Sequence, residues 1–116
     1  MNDKEVVMEK KEHLKMYVLV KEFMDTGHAV NSCAHAGMMA GQEWPEGAGD
    51  EIMDEWYADS FRKCTCKVTE KEFEKAKKYG DFIVVTEMAF DKDEVVLVFK
   101  PRREWPRFFN FLKLYK

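Results

Sequence analysis

The chain is poor in cysteine, with three among its 116 residues. An odd number without a secretory signal excludes a fully paired disulfide framework and points to free thiols. Nowhere does an apolar run approach the ~20 residues that a membrane-spanning helix needs. The first stretch, Met1 to Glu12, is charged and lacks the apolar core of a signal peptide, so a cytoplasmic protein with no membrane partner is expected. Basic charge is not in excess either. The net charge is −3, which by itself does not mark a nucleic-acid binder. Neither an internal repeat nor a low-complexity tract is visible.

What is present is an ordinary globular composition: 46% hydrophobic, 35% charged and 14% aromatic residues. Charges this mixed in sign and aromatics this frequent exclude a disordered chain. The length suits one domain around one core. Residues 1–12 read as a flexible N-terminal segment, frayed or weakly helical, and 13–116 as a single α/β domain. Charge is unevenly spread. Lys100 to Lys116 hold six basic residues and one acid, a local +5, while the rest of the chain carries 13 basic and 21 acidic residues. A basic tail on an acidic body creates a local positive patch.

Met16 to Val20 is a continuous apolar run, as in a strand buried on both faces. Asp25-Thr26-Gly27 reads as a turn with Thr26 as a cap, and residues 28–42 as a helix. In that helix Ala34, Gly37, Met38 and Gly41 recur at three- and four-residue steps, which predicts a thin packing face; Met38-Met39 reads as core. Trp44 to Gly49 is a loop, and Asp50 caps a short helix through Ala58. Ser60 to Val68 alternates with period 2 and puts Cys64, Cys66 and Val68 on one face of a strand. Thr69 and Glu72 form a capping box for the next helix, which Gly80 ends. Phe82 to Phe90 and Glu94 to Phe99 are two further strands joined by a tight link at Asp91-Lys92-Asp93. The segment Trp105 to Tyr115 is aromatic, helical or extended against the sheet. This order predicts a three-layer α/β sandwich around a mixed four-stranded sheet.

Gly27 to Gly41 is crowded with small residues yet holds two histidines, an asparagine, a serine and a cysteine. A helix of this kind approaches a sheet closely while presenting polar groups at its first turn, a common ligand site in strand-loop-helix units. Together with the strand Met16 to Val20, the register of Gly27 and Cys33-Ala34-His35-Ala36 resembles the type 2 peptidyl-tRNA hydrolases. Two further places share the likeness: Trp56 leading into Lys63 to Val68 and the helix Glu70 to Tyr79, and the end of the chain, Val96-Leu97, Pro101 and Leu112-Lys113-Leu114-Tyr115. The likeness covers residues 15–115 in family order.

The resemblance implies that family's fold and hydrolysis of an ester or related bond on a tRNA-linked or small acyl substrate, with no cofactor. It also marks where this chain departs. His28 stands at the family's lysine, Ser32 at its glutamine, Glu87 at its strand-end aspartate and Val95 at its threonine. On this reading His28 is the general base or electrostatic anchor and Glu87 its acidic partner. Asn31 and Ser32 are positioning groups for a carbonyl or oxyanion, and His35 joins them on the substrate side. The alternative is a non-catalytic ligand- or protein-binding module on the same fold.

Pro101 to Phe109 interleaves basic and aromatic groups. Arg102 and Arg103 suit RNA backbone contacts, with neighbouring rings for stacking. The competing reading has Trp105, Phe108, Phe109, Phe111 and Leu112 covering a sheet face or a partner copy in a homodimer. The spacing C-x-C at Cys64 and Cys66, without a second paired motif, does not make a zinc site, so no metal is expected. His28 and His35 are about 10 Å apart along the helix axis, too far to share an ion unaided.

Overall fold

The structure is a computed structural model, and it describes residues 13–116. The expected N-terminal segment, 1–12, lies outside the described residues. In chain order the elements are β1 (Lys15–Lys21), α1 (Thr26–Glu43), α2 (Glu51–Ala58), β2 (Arg62–Val68), α3 (Glu70–Ala76), β3 (Phe82–Glu87), β4 (Asp93–Arg102), α4 (Arg107–Asn110) and β5 (Lys113–Leu114). Single 3-10 turns, Lys77–Tyr79 and Met88–Phe90, follow α3 and β3. The sheet order is β3-β4-β1-β2-β5. β1 runs parallel to β2 and antiparallel to β4, and both edge strands are antiparallel to their neighbours.

The apolar run that starts the fold is buried because β1 lies inside the sheet with side chains alternating to two covered faces. On one face Met16, Val18 and Val20 join Val96 and Val98 of β4 under Ala29, Ala36, Ala40, Met53 and Trp56 of α1 and α2. On the other, Tyr17 and Leu19 join Leu97 and Phe99 under Phe73 and Ala76 of α3 and Phe109 and Leu112 of the C-terminal segment. Helices therefore cover both faces of the sheet. Among the described residues no helix is long and apolar enough to cross a membrane.

The expected sheet of four strands has a fifth. Phe109 and Leu112 anchor the C-terminal segment to the core, which brings Lys113 and Leu114 alongside Lys67 and Cys66 of β2. Tyr115 N then donates to Thr65 O at 2.9 Å. The strand expected to run to Phe90 stops at Glu87, where the chain tightens into the 3-10 turn; Asp91 and Lys92 follow in left-handed conformation, φ 55° and 62°.

Helix α1 starts two residues earlier than its sequence pattern predicts, and Asp25 rather than Thr26 is its cap, accepting from His28 N at 2.9 Å. Its packing face is also rotated from the expected one. Ala29, Ser32, Ala36 and Ala40 are buried, whereas Ala34 is exposed and Met38 is 70% exposed. Met39 is also exposed, at 36%, so the pair Met38-Met39 is not core. Gly37 serves no close approach, since a Cβ there meets nothing within 4 Å. Two rows of small residues run along this helix, and the buried row includes Ser32, whose hydroxyl bonds Glu87 at the end of β3.

The other caps follow the sequence pattern. Asp50 Oδ1 accepts from Ile52 N at 3.1 Å and Met53 N at 3.3 Å. Thr69 Oγ1 accepts from Glu72 N at 3.1 Å while Glu72 Oε1 accepts from Thr69 N at 2.9 Å. Each satisfies backbone donors that a helix start leaves open.

Candidate functional site

The polar cluster with the most burial lies where β3 ends against α1. Glu87 is the last residue of β3, and its side chain is 15% exposed. Ser32, fully buried, donates from Oγ to Glu87 Oε2 at 2.9 Å. His35 Nδ1 lies 3.3 Å from the same oxygen. Three residues apart on α1, Ser32 and His35 share one side of the helix, so one carboxylate meets both. The His35 ring thus stands at ion-pair distance from the carboxylate that Ser32 holds by a hydrogen bond. The imidazole side chain is about half exposed.

His28 lies at the first turn of the same helix, where its partner is Asp25. Its Nδ1 is 3.1 Å from both Asp25 oxygens. The His28 backbone N–H, and after it the His28 ring, hold the Asp25 carboxyl below its ordinary range. The His28 ring also packs on Phe90 at 4.9 Å, and Phe90 meets Phe23 at 5.0 Å. Phe90 belongs to the turn directly after Glu87, so the two histidines flank one rim. Asn31, with Asp25, Gly27 and His28, lines an open depression of about 530 Å³. Its side chain makes no hydrogen bond among the described residues.

The structure thus gathers Glu87, Ser32 and His35, with His28 and Asn31 further along the same helix. Arg102 and Arg103 are not brought to them. β3 pairs Glu87 with Asp93 at the start of β4, and Arg102 is the last residue of β4. Nine residue steps of strand, about 30 Å, separate the two ends. Arg103 is engaged by Glu55, Nη2 to Oε1 at 2.5 Å, and Arg102 stacks over Trp105 at 5.2 Å.

The chain matches no protein-family model and no curated protein. Its site chemistry therefore rests on these side chains alone.

A carboxylate beside an imidazole is a pairing used for general-base chemistry, and α1 carries two such pairs, His28 with Asp25 at 3.1 Å and His35 with Glu87 at 3.3 Å. Ser32 is not placed as a nucleophile, since it is buried and its hydroxyl is spent on Glu87. The cysteines are no better placed. Burial raises the Cys33 thiol. Cys66 is pushed up to about 12, by burial first and by the neighbouring Cys64 second. Thiols held protonated are poor nucleophiles and poor metal ligands. Among the described residues no group of three or more His, Cys, Asp or Glu could hold a metal ion.

Two polar residues outside the expected site have local sequence signals, one beside the site and one on the opposite face of the sheet. Asp25 three residues before His28 is the spacing that joins a helix cap to a first-turn imidazole. Lys21, at the end of the apolar run of β1, is buried, with Nζ 3.0 Å from Glu70 Oε2, 3.8 Å from Asp93 Oδ1 and 4.6 Å from the Phe73 ring. A buried ammonium needs such partners.

Proposed function

We propose that the chain is a divergent hydrolase of the type 2 peptidyl-tRNA hydrolase-like fold, acting on an ester or related bond of a tRNA-linked or small acyl substrate. The observation that carries this reading is the Glu87 carboxylate shared by Ser32 and His35. His35 Nε2 is the general base, and Glu87 orients the ring. Ser32 fixes Glu87, and Asn31 beside His28 positions the substrate carbonyl. Of the two carboxylate–imidazole pairs on this helix, His35 with Glu87 is chosen over His28 with Asp25 because Glu87 is the more buried carboxylate, 15% exposed against 71%. The mixed sheet, with β1 parallel to β2 and a small-residue helix laid on β1, supports the fold assignment.

The test is cleavage of an N-blocked aminoacyl-tRNA by the purified protein. His35→Ala is expected to lower the rate at least ~100-fold, the low end for losing a general base. Turnover no higher than that of a heat-killed control would sink the proposal.

A non-catalytic binding module is the second reading. It is favoured by an apolar cavity of about 300 Å³ lined by Ala29, Val30, Cys33, Thr65 and Tyr115, which holds no group poised for catalysis. Saturable uptake of a small apolar fluorophore, blocked by Ala29→Trp in the absence of any hydrolysis, would select this reading.

A further inference from the structure

The opposite face of the sheet carries a groove that the hydrolase reading does not use. It lies between α3 and the C-terminal segment, encloses about 570 Å³, and is lined by Lys71, Lys75, Tyr79, Arg107, Phe108 and Phe111 among others. α3 turns Phe73 and Ala76 into the core, which leaves Lys71 and Lys75 on the groove side, one helical turn and about 6 Å apart along the axis. α4 then supplies Arg107 from across the groove.

Two features give this groove its chemistry. The first is unneutralised charge. Among the described residues none of Lys71, Lys75 and Arg107 is in an ion pair. One acid, Glu72, also lines the groove; it accepts from the backbone N–H of Thr69 in the capping box and keeps its charge, so the three cations outweigh it by two. In a chain of net charge −3 this is a local concentration of positive charge rather than a general one. The second is the presence of flat rings. Tyr79 and Phe108 stack at 5.5 Å with their planes 25° apart. Phe111 is 73% exposed beside the Arg107 guanidinium, 5.8 Å from its ring centre. Its neighbour Phe109 is buried, so within this segment it is Phe111 that presents a ring to solvent.

We propose that this groove binds a single-stranded nucleic acid, with Lys71, Lys75 and Arg107 at its phosphates and a base stacked on Phe111. Cations tracking a backbone beside exposed aromatic faces are the two requirements for strand binding without sequence readout. Three cations on two elements match successive phosphates, more than a mononucleotide presents. An acidic peptide would satisfy the cations and leave the rings unused. The site stands whether or not His35 is catalytic, since it is on the other face of the sheet.

The test is fluorescence anisotropy of a labelled oligouridylate of about 10 nucleotides with the full chain. Three phosphate contacts predict a salt slope near −2, so that raising salt from about 50 to about 200 mM weakens binding about 20-fold. Lys71→Ala with Arg107→Ala is expected to bring the slope to about −1 or shallower. Phe111→Ala is expected to weaken binding roughly 5- to 150-fold; because Phe111 is exposed, the variant keeps its fold, checked by an unchanged melting temperature. Absent binding, or binding indifferent to these substitutions, overturns the proposal. So does equal competition by uridine monophosphate, by duplex RNA or by inorganic polyphosphate. Self-association of the chain that Phe111→Ala abolishes would also overturn it, by making the groove an interface between copies.

Discussion

Ser32 donates its hydroxyl to Glu87 across 55 positions of sequence, at 2.9 Å. This bond ties the middle of α1 to the end of an edge strand. Ser32→Ala leaves the carboxylate with one donor fewer in a largely dry site, and hydrogen bonds to charged groups contribute about 1.5–3 kcal/mol. We expect urea unfolding to report a loss of that size, and Ser32→Thr to recover part of it. A loss within about 0.5 kcal/mol, the scatter of ordinary surface changes, would show that the bond is not made in solution.

The two histidines separate the catalytic assignments. In N-blocked aminoacyl-tRNA hydrolysis, Glu87→Gln is expected to follow His35→Ala in lowering the rate, because the amide removes the negative charge 3.3 Å from the ring. His28→Ala is expected to alter rate less than His35→Ala does. The reverse order would return the base to the first turn of the helix.

High pH acts on the face of the sheet that carries the C-terminal segment. Burial pushes the Tyr17 phenol and the Cys66 thiol each up to about 12, from 10.0 and 9.0. The folded state therefore keeps protons that the unfolded chain has released. Stability from these groups is full below pH ~9 and falls as pH rises toward 12. Tyr17→Phe with Cys66→Ala is expected to flatten the decline in melting temperature above pH ~9. An unchanged alkaline decline would refute the assignment.

Low pH acts on the start of α1. The His28 backbone N–H lowers the Asp25 carboxyl from 3.8, so its stabilisation is complete above that value and is lost as pH falls through the lowered one. Asp25→Ser keeps a cap without the titrating charge and is expected to reduce the acid sensitivity of the melting temperature. Equal acid slopes in both proteins would exclude this cap as a source.

The aromatic terminus divides into anchor and surface. Phe109 meets Tyr17 at 5.0 Å, Phe99 at 5.2 Å and Trp105 at 4.8 Å. Phe109→Ala is expected to cost about 3–5 kcal/mol in denaturant unfolding, and Phe111→Ala about 0.5 kcal/mol or less. Comparable costs would mean that Phe111 is covered in solution.

Elements with a strong local pattern were legible in the sequence. The run Met16 to Val20, the alternation through Cys64, Cys66 and Val68, the Asp50 cap and the Thr69–Glu72 box each depend on neighbours a few residues away. Long-range partners were less so. Nothing local distinguishes the row Ala29-Ser32-Ala36-Ala40 from the row Ala34-Gly37-Met38-Gly41, because both are small enough to meet a sheet; the partners of the buried row, the core under Ala29, Ala36 and Ala40 and Glu87 beside Ser32, lie far along the chain. β5 was hidden for a similar reason, since two residues carry no period and pair only because Phe109 and Leu112 hold them beside β2. Among site residues, His28, Ser32, His35 and Glu87 were all legible as candidates. Which histidine meets the carboxylate was not, because a seven-residue offset leaves both on the same side of the helix.

The position of β1 has a consequence for biosynthesis. Its two neighbours, β2 and β4, are both made after it, and β4 finishes only at Arg102. While the chain emerges from the ribosome N-terminus first, Met16 to Val20 has no ladder partner until β2 appears and none on its other side until β4 does. A nascent chain stalled before β4 would present a bare apolar strand edge to other chains. Holding factors that cover such edges therefore have a defined window of action on this protein, which closes when Arg102 clears the exit.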